Sequence, residues 1–596
     1  METKLRKNLT ETDLCVVGGG LAGLCAAVAA ARHGTRVVLM QDRPMLGGNA
    51  SSEIRMWVSG AGTRVRNLQE TGLMEEILLD NMYRNPTRNF SIWDSILYEK
   101  AAFEPNLTLM LNCACCDAEM DGNKIVSVTG WQMTTQSWQI VRAKYFADCS
   151  GDSILAPLTG ANFRIGREAA SEFDENVSVE EADKLTMGMS CLIQARYDES
   201  LTSKFVPQPG ATKMTDEMIA LRRPKMDKTS ENFWYLELGG NRDSIADTES
   251  LRDELIALAL GMWDWIKNSG EVENADHWHI EFLGILPGKR ESRRMMGRYI
   301  MTQGDILAGG MFDDVIAFGG WTLDDHHPDG FYHKGNPNTW GKTPAPYGIP
   351  YRILYSENIE NLFFAGRNVS MTHAAMSSAR VMATCAVMGE AVGTAANIAR
   401  EFGLTPHGVY EEKIKLLQTR LTDNGCFLPH IRRDMTAARS ASLSADGAVK
   451  DIENLRSGAD RNNHTYGSED EGALISAGTT LKYEFAPRKV ENIHIAFDSD
   501  LDRITLPGDK CERRHSMRAN VFPDSPVMHL PLTLVKAYEL YVTDSDGNRK
   551  LIAEDNANFK QTLNFAPDYP ITAIELKIFS DYGANEDIHV FSFDFR

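Results

Sequence analysis

Long apolar runs, cysteines and positive charge are all scarce in this sequence. No run reaches the roughly 18 apolar residues that a membrane-spanning helix needs, and a strand predicted from Asp13 leaves no room for a signal peptide, so we expect a cytoplasmic protein. Ten cysteines in 596 residues are too few for a disulfide scaffold. With 62 Lys and Arg against 82 Asp and Glu, the net charge of -20 disfavours nucleic acid as a partner, because such binding depends on neutralising phosphates.

The length and composition indicate several globular domains. Hydrophobic cores stop growing at roughly 250–300 residues, so we predict that the 596 residues divide into two or three domains. Hydrophobic residues make up 43% and charged residues 24%, which is ordinary for folded proteins and excludes disordered, collagen-like and coiled-coil classes.

Residues 13–48 contain the strongest motif. A short apolar strand, Leu14 to Val17, runs into Gly18-x-Gly20-x-x-Gly23, and an alanine-rich helix and a second strand follow. Gly18 permits a tight turn, Gly20 lets backbone amides approach a pyrophosphate, and Gly23 brings the helix close to the sheet. A glycine motif in this strand–turn–helix–strand order predicts a dinucleotide site.

The end of the second strand departs from the usual dinucleotide pattern. The acid expected to contact the ribose hydroxyls falls on Gln41, with Asp42 and Arg43 next to it. A glutamine can still accept from one hydroxyl and donate to another, so we keep Gln41, Asp42 and Arg43 as candidate cofactor residues.

The stretch GGNASSEIRM at 47–56 follows the glycine motif. With it the sequence resembles the two-segment flavoproteins related to glutathione reductase and fumarate reductase, and more narrowly the bacterial FAD-dependent oxidoreductases that carry this stretch. The resemblance implies FAD as the cofactor and places beside it Gly48, Asn49, Ser51, Ser52 and Arg55. A solvated loop charge is the alternative for Arg55.

Residues 359–396 resemble the second cofactor segment of that family. A strand at Leu362 to Ala365, a turn and a small-residue helix from about Ser378 would close over the flavin. The resemblance covers about residues 12–425, and it assigns to the cofactor site Asp152, Gly366, Arg367, Asn368 and Ser378. Arg367 stands where the family usually has an acid.

These segments predict a three-part architecture. A discontinuous α/β, Rossmann-like FAD-binding domain spans 12–180 and 350–425, and an inserted α+β substrate domain spans 181–349. From 426 to 596 short alternating strands separated by polar turns predict an all-β jelly roll or sandwich. This tail resembles discoidin-type, galactose-binding-like modules. Such modules bind carbohydrate or pack against a catalytic partner, and both alternatives are open.

Five residues are candidates for chemistry. His373 lies in the second cofactor segment and could act as a general base, with a helix cap or a satisfied core histidine as the alternative. His326 and His327 form an acid–base or substrate loop, a surface loop, or part of a metal site; no third ligand at a characteristic spacing is visible, so we assign no metal. Arg290 and Arg293 resemble the family's RESRR strand and could bind a carboxylate, or form a salt-bridged strand face.

The function that follows is an FAD-dependent oxidoreductase, a dehydrogenase or oxidase that moves hydride between a small polar substrate and the flavin. A sugar, a polyol or a hydroxy acid is the expected substrate. Two alternatives stand beside it: reduction of an unsaturated acid guided by Arg290 and Arg293, and a flavin-stabilised carbohydrate-binding protein without turnover. The sequence assigns no oligomeric state.

Overall fold

The computed structural model describes residues 5–63, 68–226, 232–461, 471–500 and 527–596. Within these ranges the α-helices are Leu21–Arg32, Leu73–Arg84, Phe90–Ala102, Leu155–Thr159, Ala170–Phe173, Asp216–Leu221, Thr248–Asn268, Gln303–Leu307, His373–Ala379, Met382–Phe402, Pro406–Asp423 and Thr436–Arg439.

Parallel strands meet at one edge of a seven-stranded mixed sheet. Its order is Leu107–Met110, Val37–Met40, Arg6–Val17, Ser137–Asp148, Lys124–Gln132 and Cys113–Asp121, with Leu362–Phe364 also paired to Ser137–Asp148. Val17 aligns with Met40 and Asp148, and Asp148 aligns with Phe364. All four residues therefore end at the carboxyl edge, where ligands bind in open α/β sheets.

The first strand begins earlier than the sequence predicts. It runs from Arg6, and residues 6–11 alternate between exposed and half-buried while they pair with 137–142. Only 12–17 are continuously buried, as expected for parallel strands covered on both faces. The apolar sequence therefore predicted the buried half of the strand. The polar half could not be predicted, because it forms by pairing with residues 137–142, far along the chain.

Two small-residue helices pack unusually closely behind this edge. A Cβ on Gly389 would overlap the carbonyl oxygen of Ala22, and one on Gly393 would overlap that of Ala26. The helix Met382–Phe402 can therefore rest on the helix Leu21–Arg32 only because glycine stands at both contacts. This contact joins the two cofactor segments of the chain.

The inserted region contributes to three hydrophobic clusters. One surrounds the helix Thr248–Asn268 and includes Leu255, Leu258, Met262 and Trp263. Most buried apolar residues between 295 and 354 join the main core instead, and Phe318 packs in a third cluster with Ala61 and Leu68. The short strands are Met189–Ser190 with Glu237–Leu238 and Gly288–Lys289, Ile193–Tyr197 with Trp278–Leu283, Phe163–Arg164 with Arg294–Met295, Val315–Gly319 with Tyr347–Pro350, and Leu323–His326 with Asn338–Gly341. The proposed boundaries at 181 and 349 stay predictions.

The tail is a sandwich of two antiparallel five-stranded sheets. One has the order Ser442–Ala445, Thr480–Arg488, Ile571–Asp581, Val535–Asp544 and Arg549–Asp555, and the other Val449–Lys450, Ala473–Ser476, Asp587–Phe595, Ile493–Phe497 and Thr562–Phe565. Apolar side chains of both sheets share one buried cluster. The predicted fold class, a Rossmann-like α/β region followed by an all-β sandwich, is confirmed.

The tail packs directly on the first cofactor segment. Leu79 and Met82, on the helix Leu73–Arg84, belong to the buried cluster of the tail. Tyr83 on the same helix stacks on Phe559, with ring centroids 4.7 Å apart. The apolar core of the sandwich is therefore completed by side chains from outside it.

Within the described residues, no single helix is long and apolar enough to cross a membrane. The helices His373–Ala379 and Met382–Phe402 meet that criterion only together, across a bend of 95°.

Candidate functional site

The glycine motif adopts the geometry that each glycine was expected to provide. Gly18 has a φ of 102°, and a Cβ on Gly23 would overlap the carbonyl oxygen of Gly18. A Cβ on Gly20 would meet only the Cα of Gly48, at 4.0 Å. The turn and the close helix packing therefore require Gly18 and Gly23, whereas Gly20 faces open space that a ligand can enter.

The helix that follows Gly20 begins with free main-chain donors. In this part of the described chain no side chain caps the helix Leu21–Arg32, and its first turn holds no acid. The 47–51 loop lies against the same turn, since the amide of Gly47 donates to the carbonyl of Gly19 at 2.8 Å. Uncapped N–H groups and the helix dipole attract an anion, so the turn is suited to a phosphate.

The second cofactor segment contacts the same edge of the sheet through Asp152, a residue that follows the strand Ser137–Asp148. Its carboxylate accepts from Lys289 Nζ at 2.7 Å and from Arg367 at 2.7 Å, and Arg367 also donates to the carbonyl of Gly151. Burial raises the pKa of Asp152, but Arg367 and Lys289 outweigh it and hold the pKa below its usual range. Three separate stretches of the chain thus converge on one carboxylate.

Two polar atoms in the turn after the strand Leu362–Phe364 are buried without a partner among the described residues. They are Arg367 Nε and Asn368 Oδ1. Gly366, with a φ of 119°, brings this turn to Ala22, whose Cβ would lie 3.8 Å from a Cβ on Gly366. A buried polar atom without a hydrogen bond is costly, so these atoms favour a ligand at this turn.

His373 lies between two carboxylates of the inserted region. Its Nδ1 lies 2.9 Å from Glu291 Oε2, its Nε2 lies 2.9 Å from Asp325 Oδ1, and its amide donates to Glu168 at 2.8 Å. Burial lowers the pKa of His373, but Glu291 and Asp325 outweigh burial and raise the pKa to about 10. Both carboxylates thus favour the imidazolium form of His373 at neutral pH, and the general-base role predicted from the sequence stays a prediction.

His326 belongs to a second buried ionic cluster. Its Nδ1 lies 2.6 Å from Glu237 Oε2, and Arg290 lies 3.5 Å from the same oxygen. Burial raises the pKa of Glu237, but Arg290 and His326 lower it below its usual value. Arg290 also donates to Ser190 Oγ and to the Trp234 carbonyl, so its guanidinium is held by protein groups.

The sequence of residues 13–421 matches the family model described as FAD dependent oxidoreductase. The chain belongs to the FAD-dependent oxidoreductase family. No curated protein matches it.

Several solved structures are distantly similar. OxyS anhydrotetracycline hydroxylase from Streptomyces rimosus is 12% identical, with 72% of this chain and 78% of that chain covered and a TM-score of 0.29. The glycerol-3-phosphate dehydrogenase from Bacillus halodurans complexed with FAD is 14% identical, with 34% and 44% covered and a TM-score of 0.21. The family 32 carbohydrate-binding module from Streptococcus pneumoniae EndoD is 16% identical, with 26% and 94% covered and a TM-score of 0.19. The family assignment rests on the match over 13–421.

This FAD-dependent oxidoreductase presents residues that fit its cofactor. The open Gly20 turn and the uncapped helix after it suit a pyrophosphate, and the unpartnered atoms of Arg367 and Asn368 suit the polar part of a flavin nucleotide. The individual contacts to FAD of all the assigned residues stay predictions.

Some of the predicted cofactor residues already have protein partners. Gln41 accepts from the amide of Gly19 at 2.6 Å and donates to the carbonyl of Met45 at 3.0 Å. Asp42 is largely exposed, and Arg43 lies 3.7 Å from Asp42 and 3.6 Å from Glu53. Gln41 therefore supports the glycine turn itself, a role that the family pattern did not indicate.

The GGNASSEIRM loop is tied to the inserted region. Asn49 donates to the carbonyl of Lys289 at 3.1 Å, and Arg55 donates to Gln194 at 2.6 Å. The Arg55 guanidinium also lies over the rings of Phe90 and Phe282, at 4.6 and 4.2 Å from their centroids. Arg55 is thus packed between aromatic rings rather than solvated.

The remaining three predicted cofactor residues are placed as follows. Ser51 is fully buried and its Oγ accepts from the Glu53 amide, the amide of Ser52 donates to Asp94, and Ser378 contacts Tyr347 and Trp321. Ser51 and Ser52 thus hold the loop that carries them, whereas Ser378 ties its helix to the inserted region.

Two local predictions were wrong. The long helix begins at Met382, and Ser378 lies in a separate short helix, His373–Ala379. The RESRR stretch is not a continuous strand: only Gly288–Lys289 and Arg294–Met295 are strands. Arg290 and Arg293 therefore do not share a strand face, and Arg293 donates to the carbonyls of Asp152 and Ser153.

Sequence reasoning gave no functional role to several residues that contact the predicted site residues. They are Glu168, Glu237, Lys289, Asp325 and His333, and Glu291 was considered only as part of a salt-bridged strand face. His327 is half-exposed, and its ring stacks on that of His333 with centroids 3.5 Å apart. The spacing His327-x-Asp329-x-x-x-His333 could have indicated from the sequence that these side chains lie close together. The contacts of the carboxylates named above depend on the fold and have no such local signal.

Proposed function

We propose that this FAD-dependent oxidoreductase oxidises a small hydroxyl-bearing substrate, such as a sugar, a polyol or a hydroxy acid. The observation that carries the proposal is the ionic cluster of His373, Glu291 and Asp325, which joins the second cofactor segment to the inserted region. Binding sites form preferentially at such junctions, and a charged wall there suits a polar substrate.

Asp325 is the member of this cluster that can meet a substrate. Its side chain is 21% exposed, against 3% for His373 and 0% for Glu291. When bound, FAD accepts hydride from a substrate C–H bond. Asp325 accepts the hydrogen bond of the substrate hydroxyl and receives its proton as the carbonyl forms.

His373 is a positioning residue in this scheme. Its Nε2 holds Asp325 Oδ1 at 2.9 Å, while Glu291 orients the imidazolium from the other side. Burial raises the pKa of Asp325, but the contact with His373 and the charges of Arg167 and His326 together outweigh it and lower the pKa, so Asp325 is ionised. The cluster thus presents an oriented carboxylate at neutral pH.

The reductive alternative has weaker support. It requires Arg290 and Arg293 to bind the carboxylate of an unsaturated acid. Both guanidinium groups instead donate to main-chain oxygens of this protein, at 3.0–3.3 Å. A carbohydrate ligand for the tail and a cytoplasmic location stay proposals beside the main one.

The test is anaerobic mixing of the FAD-loaded protein with sugars, polyols and 2-hydroxy acids while the flavin absorbance is followed. We expect bleaching by at least one class, and Asp325→Asn should slow it about 10²–10⁴-fold while FAD stays bound. Asp313→Asn is the control, since this largely exposed carboxylate has Arg352 only at 3.9 Å. If no member bleaches the flavin but an unsaturated acid reoxidises reduced protein, the reductive alternative is correct. Re-oxidation by oxygen separates an oxidase from a dehydrogenase.

A further inference from the structure

We propose that His327, Asp329 and His333 bind a divalent transition metal ion. One ligand atom from each residue can be chosen so that all three lie within 4.8 Å of one another. The two imidazole rings are stacked at an angle of 18°. Nothing in the proposed oxidation of a hydroxyl substrate requires this ion, so the two proposals stand or fall separately.

The loop that carries the three side chains is fixed by its main chain. The amide of His327 donates to Pro337 at 3.0 Å, that of Gly330 donates to His327 at 2.8 Å, and that of His333 donates to Gly330 at 3.2 Å. The buried Arg222 donates to the carbonyls of Gly330 and His333, both at 3.1 Å. The ligands therefore start from an ordered backbone, which lowers the entropy that an ion must overcome.

The donor atoms of the cluster suit a cation. His327 and His333 each offer an imidazole nitrogen, the commonest metal ligand among side chains. Asp329 supplies a negative charge, and its Oδ1 accepts from Asn241 Nδ2 at 3.3 Å. A hydrogen bond of this kind orients a ligating carboxylate.

Two imidazoles and one carboxylate select the class of ion. Imidazole suits zinc, iron, cobalt and nickel, whereas magnesium and calcium prefer all-oxygen ligands. Three protein ligands leave at least one coordination position open, as in catalytic rather than structural zinc sites. The side chains of His327 and Asp329 are 41% and 54% exposed, so an ion reaches the cluster from solvent.

The test is metal binding by the full-length, FAD-loaded protein after chelation and dialysis. Calorimetric titration with Zn²⁺ gives the stoichiometry, and the visible spectrum with Co²⁺ reports on imidazole coordination. The variants are His333→Ala, Asp329→Asn and Asn241→Ala, with His529→Ala as the control. Nδ1 of His529 lies 2.8 Å from the carbonyl oxygen of Leu530, in the tail and far along the chain from the cluster.

We expect one ion per chain for the wild type and for His529→Ala. His333→Ala and Asp329→Asn should weaken binding more than about 100-fold, and Asn241→Ala about 10- to 100-fold, as the loss of a ligand-orienting group does. The flavin spectrum and the metal-free melting temperature of each variant show whether it is folded. A wild type that binds no Zn²⁺, or a folded His333→Ala variant with unchanged affinity, overturns the proposal.

Discussion

The two walls of the candidate site are made in different ways. On the cofactor side the important groups are main-chain atoms exposed by glycines, at Gly18, Gly20 and Gly23. On the substrate side they are buried charged side chains, of which His373 and Glu291 are the clearest pair. The first wall should be disrupted by substitutions that add side-chain atoms at these glycines. The second should be disrupted by substitutions that remove a buried charge. This difference can be tested by substitution.

The largest effect is expected for Gly23→Val. Its Cβ would overlap the main-chain oxygen of Gly18, which cannot move without opening the turn, so we expect a loss of about 3 kcal/mol or more in the free energy of unfolding. Gly20→Val is the matched control, because its side chain enters open space. That control should be folded without bound FAD, and it should melt near the temperature of the FAD-free wild type. A Gly20→Val protein with full FAD occupancy would show that the pyrophosphate lies elsewhere.

A smaller effect, with a distinct pH dependence, is expected for His373→Asn. At pH 7 the buried Glu291 loses a cationic partner, which costs about 3 kcal/mol. Because the pKa of His373 is raised from 6.5 to about 10, its stabilisation is complete below 6.5 and is lost as the pH rises through about 10. Denaturant unfolding over this range should show the wild type and the variant converging. A difference that does not change with pH would mean that the ring is neutral.

The smallest effect is expected for Gln41→Glu. A glutamate still accepts from Gly19, but it cannot donate to the carbonyl of Met45, so we expect a loss of about 1–2 kcal/mol in the free energy of unfolding with FAD retained. Asp42→Asn, at a largely exposed side chain, should change stability by less than about 0.5 kcal/mol. Tighter FAD binding by Gln41→Glu without a loss of stability would place this side chain on the ribose instead.

The contrast between the two walls also explains what the sequence could predict. The spacing of Gly18, Gly20 and Gly23 is local, and each glycine has a steric reason that can be read without a structure. The alternating strands of the tail are local in the same sense. The dinucleotide site and the all-β tail therefore followed from local patterns, whereas the family and FAD followed from the resemblance carried by residues 47–56 and 359–396.

The substrate wall could not be predicted in this way. Glu168, Glu291, Asp325 and His373 span more than 200 positions of the chain and meet only when the inserted region folds back on the second cofactor segment. The sequence made His373 a candidate through its segment, but its protonation state depends on two carboxylates that no local pattern joins to it. Tertiary contacts decide the charge of such a residue.

The contact between the tail and the helix Leu73–Arg84 has a consequence for biosynthesis. Leu79 and Met82 are buried by apolar residues of the tail, beginning at Ala438. At about 5–20 residues per second, a ribosome needs roughly 20–70 s to travel from one to the other. During that interval a nascent chain holds two apolar side chains whose covering partner has not been made, and transiently exposed apolar surface of this kind promotes aggregation.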